Sequence, residues 1–295
     1  MPATTAAGGP PRVGLLAGWG RYPIVVAEAL RAQGYSIYCL GLKDNADPAL
    51  REICADFEWL GMAQLGKAIR YYRRQRCTQI TMAGKIHKVQ LFQPWVWLKI
   101  VPDWRAVKCY YPHFWLTKSD RKDDTLLGAA IAEFAKDGIT VAPATDFAPE
   151  LLVKAGQLTR RGPTAAQVAD MDFGWSLAKE MGRLDVGQSV AVKGRAVFAV
   201  EAIEGTDECI RRAGQLCRSG GFTVVKTAKP QQDMRFDVPT IGVGTLETMV
   251  QAGAAALAIE ADKTIILDEA AVLEFANRHG LVIVARRNDA QAAAA

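Results

Sequence analysis

The stretch VGLLAGWGRYPIVVAEALRAQGYSIYCLGL, Val13 to Leu42, decides the fold class. Val13–Ala17 is a short apolar run of the kind that forms a buried strand. It ends in AGWGRYP (17–23), and a helical pattern follows in IVVAEALRAQG, with Gly34 placed to close it as a C-terminal cap. Tyr35–Leu42 is apolar again. Strand, glycine turn, helix and strand make a βαβ unit, which predicts an α/β fold built on a Rossmann-like parallel sheet.

Gly18 and Gly20 let the backbone approach a ligand or pack tightly, and the helix start behind them can bind a phosphate. The full GxGxxG pattern is absent, because proline occupies the region of the third glycine. Asp44 comes late for the acidic residue that holds a ribose, so nicotinamide binding is disfavoured. A second helix is expected over Met62–Arg76. Its basic end, RYYRRQR, suits the negative end of a helix dipole better than a nucleic-acid patch. Strand Gln79–Ala83 then breaks at Gly84-Lys85, so Gly18, Gly20, Gly84 and Lys85 are candidates to line one crevice at the carboxyl edge of the sheet.

Between Leu91 and Leu116 the character changes. Phe92, Trp95, Trp97, Trp104, Tyr110, Tyr111, Phe114 and Trp115 are interrupted by prolines and by Lys99, Arg105 and Lys108. Such a stretch reads either as a helical cap over the core or as a surface that meets lipid or an acyl chain. In KDDTLL, Asp123 and Asp124 open a helix, where they serve as dipole partners or as carboxylates of a metal-phosphate site. Strand Ile139–Ala142 closes the first half.

Residues 146–165, rich in Pro and Gly, read as a linker. Thr164 is expected to cap a helix reaching Met181. GRLDVGQ (182–188) then leads to a hairpin, Ser189–Lys193 and Ala196–Glu201, turning at Gly194-Arg195. Thr206 is a natural N-cap and Asp207 suits a first helical turn. Together with Glu201 and Glu204 they also bring polar groups to a strand end, where ligand loops belong. A further strand opens TVVKTAKPQQDMRFDVPTIG (223–242). Its polar loop is pinned by Pro230 and Pro239 and carries Asp233, Arg235 and Asp237, with Lys226 and Lys229 nearby. Two carboxylates four apart among three cations suit an anionic substrate that needs a metal or a base. A solvated loop with surface ion pairs is the plainer alternative. Helices at Leu246–Ala252 and Glu269–His279, and strands at Ala256–Ile259, Ile265–Leu267 and Leu281–Ala285, complete a second α/β domain. His279 reads as a dipole partner at its helix end.

The 295 residues favour two domains. Half are hydrophobic and 23% charged, an ordinary globular balance. A net charge of +5, spread along the chain, fits anionic ligands or a membrane surface better than a nucleic-acid footprint. Six scattered cysteines without a CxxC pair are expected as reduced core thiols of a cytoplasmic protein. Three isolated histidines, none close in sequence to another, argue against a zinc site. No run of eighteen apolar residues occurs, and the MPATTAAGGPPR leader lacks the pattern of a signal peptide.

With these pieces in hand, the chain resembles the LpxI-type UDP-2,3-diacylglucosamine pyrophosphatases of lipid A biosynthesis. The resemblance is carried, in order, by GLLAGWGRYP (14–23), MAGK (82–85), KDDTLL (122–127), GRLDVGQ (182–188), VEAIEGTDECIRR (200–212) and KPQQDMRFDVPTIG (229–242). It implies an N-terminal Rossmann-like domain (12–145), the linker (146–165), a C-terminal catalytic α/β domain (166–286), and disordered tails (1–11 and 287–295). It further implies hydrolysis of UDP-2,3-diacylglucosamine to UMP and 2,3-diacylglucosamine 1-phosphate, helped by Mg²⁺ (or Mn²⁺), with substrate held between the domains. By the same resemblance Asp237 is the essential carboxylate; the chemistry of pyrophosphate cleavage casts it as metal ligand or as base for the attacking water, with Asp233, Asp124 and Asp123 as further ligands. Gly18, Gly20, Gly84, Lys85, Thr206, Asp207, Lys226, Lys229, Gln232, Arg235 and Thr240 are the expected substrate contacts. Beyond the substrate, the expected partners are the cytoplasmic face of the inner membrane, met peripherally, and a second copy in a homodimer; no nucleic acid is expected. Copurifying NAD(H) would instead favour an oxidoreductase or binding module, and salt-dependent RNA binding a non-catalytic electrostatic binder.

Overall fold

Arg12–Ala17 (β1) and Ser36–Leu42 (β2) pair in parallel, with Val13 opposite Ile37 and Leu15 opposite Cys39. Tyr22–Ala32 (α1) is the crossover between them. The structure, a computed structural model, describes residues 9–85, 101–111 and 123–287, with the side chains of 123–125 outside that description. The expected tails thus fall almost wholly outside the described residues, as do the aromatic residues Phe92, Trp95, Trp97, Phe114 and Trp115.

The chain forms two units. The first is Met1–Pro149 with Asp233–Phe236, and the second is Glu150–Gln232 with Asp237–Ala295. In the first, Asp56–Leu60 (β3), Gln79–Ala83 (β4) and Thr140–Val141 (β5) complete a five-stranded sheet ordered β3-β2-β1-β4-β5. Every pairing in it is parallel. The βαβ expectation is therefore borne out and extended. Strand β3 was not foreseen, because DFEWL alternates acid with aromatics at the sheet edge and has only one fully buried residue.

Leu65–Arg74 (α3, after the short α2 at Leu50–Ile53), Trp104–Tyr111 (α4) and Asp123–Ala135 (α5) accompany this sheet, with a final turn at Ala144–Phe147 (α6). Leu40, Ile69, Tyr72, Ile80 and Phe134 form the buried centre. Each such side chain, fully withdrawn from water, contributes about 1.5–3 kcal/mol. Asp103 joins α3 to α4. One carboxylate oxygen accepts the Lys67 N–H at 2.9 Å and the other the Ala106 N–H at 2.9 Å. Arg105 of α4 holds Glu133 of α5 at 2.8 Å, and this contact keeps the Glu133 carboxyl below its usual range together with the dominant hydrogen bond from Lys136. The basic end of α3 is likewise engaged: Arg73 pairs with Asp137 at 3.2 Å and Arg74 with Glu58.

The second unit is a six-stranded mixed sheet. Its order is Gly156–Gln157 (β6), Val282–Arg286 (β13), Ala254–Glu260 (β11), Phe222–Lys226 (β9), Ser189–Lys193 (β7) and Ala196–Val200 (β8). Strands β9, β11 and β13 run parallel, while β6, β7 and β8 each pair antiparallel with a neighbour. Thr240–Ile241 (β10) and Ile265–Ile266 (β12) form a small parallel pair of their own. The long helix Ala165–Arg183 (α7) covers one sheet face through Met171, Ala178, Val190, Val192 and Val225. Thr206–Leu216 (α8), Val243–Ala252 (α9) and Glu269–Arg278 (α10) cover the other through Ile210, Leu246, Val272, Phe222 and Ile259.

Thr164 caps α7 as expected, in a capping box whose side chain accepts from the Gln167 N–H. The stretch expected as a linker is partly built in, because β6 pairs Gln157 with Val284. The N-cap of α8 is not Thr206 but Gly205, at φ 86°, a backbone setting that suits glycine. Thr206 is the first helical residue and its hydroxyl is used elsewhere. All six cysteines are free, and burial pushes the Cys77 and Cys209 thiols up to about 12.

Candidate functional site

In the first unit the order β3-β2-β1-β4-β5 reverses between β1 and β4, and ligands of open α/β sheets bind beyond the carboxyl ends at such a point. The structure brings Gly18, Gly20, Gly84 and Lys85 together there. Trp19 and Lys85 exchange both backbone hydrogen bonds, N–H to carbonyl at 2.7 and 2.9 Å. A Cβ on Gly18 would lie 2.7 Å from the Lys85 carbonyl oxygen. One on Gly84, at φ +95°, would meet Gly18, Pro23 and Trp19 within 2.9 Å. Contact between two loops thus already accounts for these glycines. Gly20, at φ +104°, has open space where a Cβ would stand. Lys85 is exposed.

The second unit gathers its polar groups at the carboxyl edge of the parallel strands. Ser189 opposes Lys226 across β7 and β9, and on its other side accepts the Glu201 N–H at 2.9 Å. Glu201, Ser189 and Lys226 therefore form one row on one face. All three are buried, at 7, 0 and 6% exposure. The Thr206 hydroxyl reaches into this row, lying 3.2 Å from Glu201 Oε1 and 3.3 Å from Ser189 Oγ. Asp207 follows in the first turn of α8, half-buried. Gly187 is required by the same packing: its Cβ would stand 2.1 Å from the Glu201 carbonyl oxygen.

The loop leaving β9 is fixed at its start by an ion pair between a buried acid and a half-buried lysine, neither of which stands out in the sequence. Glu260 ends β11 and is 3% exposed. Its Oε2 accepts from Lys179 of α7 at 2.5 Å and from the Ala228 N–H at 2.8 Å, while Lys179 Nζ donates to the Ala228 carbonyl at 3.1 Å. Both backbone groups of Ala228 are held by one pair of charges. Lys229 follows, with Nζ 2.7 Å from Asp185 Oδ1 and its N–H on Gln232 Oε1 at 2.8 Å. A Cβ on Gly182 would crowd Lys229 and Pro230 at 3.2 Å. The motifs GRLDVGQ, VEAIEGTDE and KPQQD, far apart in the chain, are thus assembled against one another.

The chain passes to the first unit at Asp233 and returns to the second at Asp237. Within the first unit, Phe236 packs on the Leu40–Ile69–Tyr72 cluster. Arg235 clasps Asp233 through Nε at 2.8 Å and Nη2 at 2.5 Å. That hydrogen bonding holds the Asp233 carboxyl below its usual range and raises the Arg235 guanidinium. A lowered folded value means the pair's contribution is full above the unfolded carboxylate pKa, about 3.9, and vanishes as pH falls through the folded value. Asp233→Asn is accordingly expected to flatten the acid loss of stability below about pH 4, measured by thermal melts across pH 2–6; a melting profile identical to that of the parent would contradict this.

Asp237 lies three residues before Thr240, whose carbonyl accepts from Lys226 Nζ at 2.9 Å. Its carboxylate is half-buried and makes no side-chain hydrogen bond or ion pair among the described residues. Among those residues no three His, Cys, Asp or Glu side chains gather as a metal-binding group. Asp123 and Asp124 stand in the first turn of α5, and their side chains lie outside the described residues. Of the carboxylates expected to bind metal, Asp237 is a donor without a competing partner, whereas Asp233 is occupied by Arg235. Magnesium is commonly held by one or two carboxylates together with substrate oxygens, so Asp237 fits such an ion and Asp233 would have to release its arginine.

A doubly wound first unit and a second unit with acid, hydroxyl and ammonium groups at one strand edge define a two-unit α/β protein. The family model described as the LpxI N-terminal domain matches residues 12–151, and that described as the LpxI C-terminal domain matches 154–284. A curated relative from Caulobacter vibrioides, UDP-2,3-diacylglucosamine pyrophosphatase LpxI, is 32% identical over 282 residues, covering 92% of this chain and 96% of that protein. The chain belongs to the LpxI family.

Proposed function

We propose that the protein hydrolyses the pyrophosphate bond of UDP-2,3-diacylglucosamine, releasing UMP and 2,3-diacylglucosamine 1-phosphate in lipid A biosynthesis. The observation that carries this reading is the similarity along nearly the whole chain to a relative of that name. Within the molecule it is supported by Asp237, a half-buried carboxylate with no side-chain partner among the described residues, on a loop anchored by Glu260, Lys179 and Asp185.

Water attack on a phosphoanhydride needs little covalent work from the protein. It needs a positioned nucleophile and neutralised phosphoryl oxygens. Asp237 supplies the first by accepting the proton of the attacking water. Lys226, Lys229 and Arg235 supply positive charge to the diphosphate. Each is already oriented by a partner (Thr240, Asp185 and Asp233) and so needs little ordering when substrate arrives. The loops at Gly18–Gly20 and Gly84–Lys85, at the carboxyl edge of the first sheet, take the nucleotide side of the substrate. A Mg²⁺ or Mn²⁺ ion held by Asp237 would add charge on the phosphoryl oxygens and lower the pKa of a bound water.

The membrane side of the proposal is supported by α4. Trp104 is 80% and Tyr111 50% exposed, with Val107 on the same helix and Lys108 beside them. This composition suits a peripheral contact with an anionic leaflet. Among the described residues no helix is long and apolar enough to cross a membrane.

The test is release of UMP from UDP-2,3-diacylglucosamine by the purified protein, before and after chelation with EDTA. Hydrolysis that falls at least tenfold on chelation and returns with Mg²⁺ or Mn²⁺ is expected. Undiminished hydrolysis in EDTA would remove the metal from the proposal, and no UMP under any condition would remove the proposal itself.

A further inference from the structure

Glu201 is the buried carboxylate of the Glu201–Ser189–Lys226 row, and its two oxygens are in different situations. Oε1 is bonded to the Thr206 hydroxyl. Oε2 is also buried and has no hydrogen-bond partner among the described residues. An ionised carboxylate only accepts, so the Thr206 proton is directed to Oε1. Thr206 Oγ1 then has only lone pairs to offer, and the Ser189 hydroxyl, 3.3 Å away, donates to it. The polarity Ser189 to Thr206 to Glu201 is dictated by the acid at its end. Neither hydroxyl proton is therefore left for a phosphoryl oxygen, although Thr206 stands at the start of α8.

What Oε2 calls for is a hydrogen-bond donor, because a buried acceptor left unpaired is costly and a charged one more so. A diphosphate at neutral pH has no donor to offer. The row also sets a scale. Glu201 and Lys226 are two strand spacings apart, about 10 Å, with Ser189 between. With Lys226 at the diphosphate, the carboxylate falls about one sugar ring further along.

We propose that Glu201 Oε2 accepts a hydroxyl of a sugar directly attached to the diphosphate, making Glu201 a specificity residue that reads the sugar and not the phosphate. This rests on the function proposed above. The hydroxyl belongs either to the ribose or to the hexosamine, and both present the same chemistry.

The experiment compares kcat/KM of the full chain for UDP-2,3-diacylglucosamine with that for analogues lacking one ribose hydroxyl or one hexosamine hydroxyl. The parent protein should lose about tenfold or more on one of these deletions, and which one identifies the sugar. In Glu201→Ala the intact and deoxy substrates should be turned over alike, because the group that distinguished them is gone. Glu201→Gln keeps the shape and serves the same comparison if the alanine variant does not fold; its kcat/KM on intact substrate should fall about tenfold. An increase in Glu201→Gln would mean that the position faces a phosphoryl oxygen, which an amide N–H would bind, and would overturn the proposal. A deoxy penalty that persists unchanged in an active Glu201→Ala protein would overturn it as well, leaving a purely structural acid. Failure of the parent protein to cleave the intact substrate would strike the proposed function, and this inference with it.

Discussion

Replacing Asp237 by alanine is expected to lower kcat about 10²–10⁴-fold while UDP-2,3-diacylglucosamine still binds. Among the described residues the carboxylate is the one charged group on the 229–242 loop without an ionic partner: Asp233 is clasped by Arg235, and Lys229 is held by Asp185. Removing it breaks no side-chain hydrogen bond and strands no partner among the described residues, so the melting temperature should stay within about a degree or two of the parent. Substrate affinity should hold or improve, since a negative charge beside a diphosphate is lost. Asp237→Asn should behave like the alanine variant, because an amide cannot take the water's proton. Steady-state kinetics with a parallel thermal melt checks this. Activity within threefold of the parent in either variant would remove Asp237 from the chemistry.

The largest effect on stability is expected from Gly187→Ala. The added methyl would sit 2.1 Å from the Glu201 carbonyl oxygen and 2.8 Å from its carbon, both backbone atoms of an adjoining strand end. That strand end is not free to retreat, because the Glu201 N–H is bonded to Ser189 at 2.9 Å. A cost of about 2–4 kcal/mol is expected, which for a unit of this size lowers the melting temperature by roughly 5–15 °C. Hydrolysis should fall too, since the displaced residues are Glu201, Ser189 and Thr206. Gly244→Ala is the control, as nothing lies within 4 Å of the position its Cβ would take. A Gly187→Ala protein that melts with the parent would show that the 182–188 turn yields more readily than its packing implies.

Long periodic elements were legible in the amino-acid sequence because local pattern and tertiary role coincide there. The β1–α1–β2 unit, the Gly194-Arg195 hairpin and the capped helix α7 are examples. Strand β3 was missed because an edge strand need not be apolar on either face. The pairs at β6 and β10 are two residues each, too short for any period to register. Thr206 has the side chain of an N-cap, yet Gly205 in a positive-φ conformation takes that place and leaves the hydroxyl to Glu201. The glycines at 18 and 84 were legible as sites of close approach, but not as sites where two loops approach each other.

The candidate site was harder to read, because burial of a carboxylate is decided by strands distant in sequence. A signal did exist for Glu201. It continues the inward phase of Ala199 along β8, so alternation alone places it toward the core. Glu260 ends the apolar run AAALAIE on the same logic. Its clasp on Ala228 depends on Lys179, 81 residues away, and no local pattern reports that.

The central claim is that this chain takes a diacylated UDP-sugar and cleaves it through Asp237. The most direct measurement is mass spectrometry of small molecules carried through purification of the Asp237→Ala protein, with the parent protein alongside. A diacylated UDP-hexosamine retained by the variant and absent from the parent is the predicted result. A nicotinamide nucleotide in both, or UDP-2,3-diacylglucosamine retained equally by an inactive parent, would contradict the account.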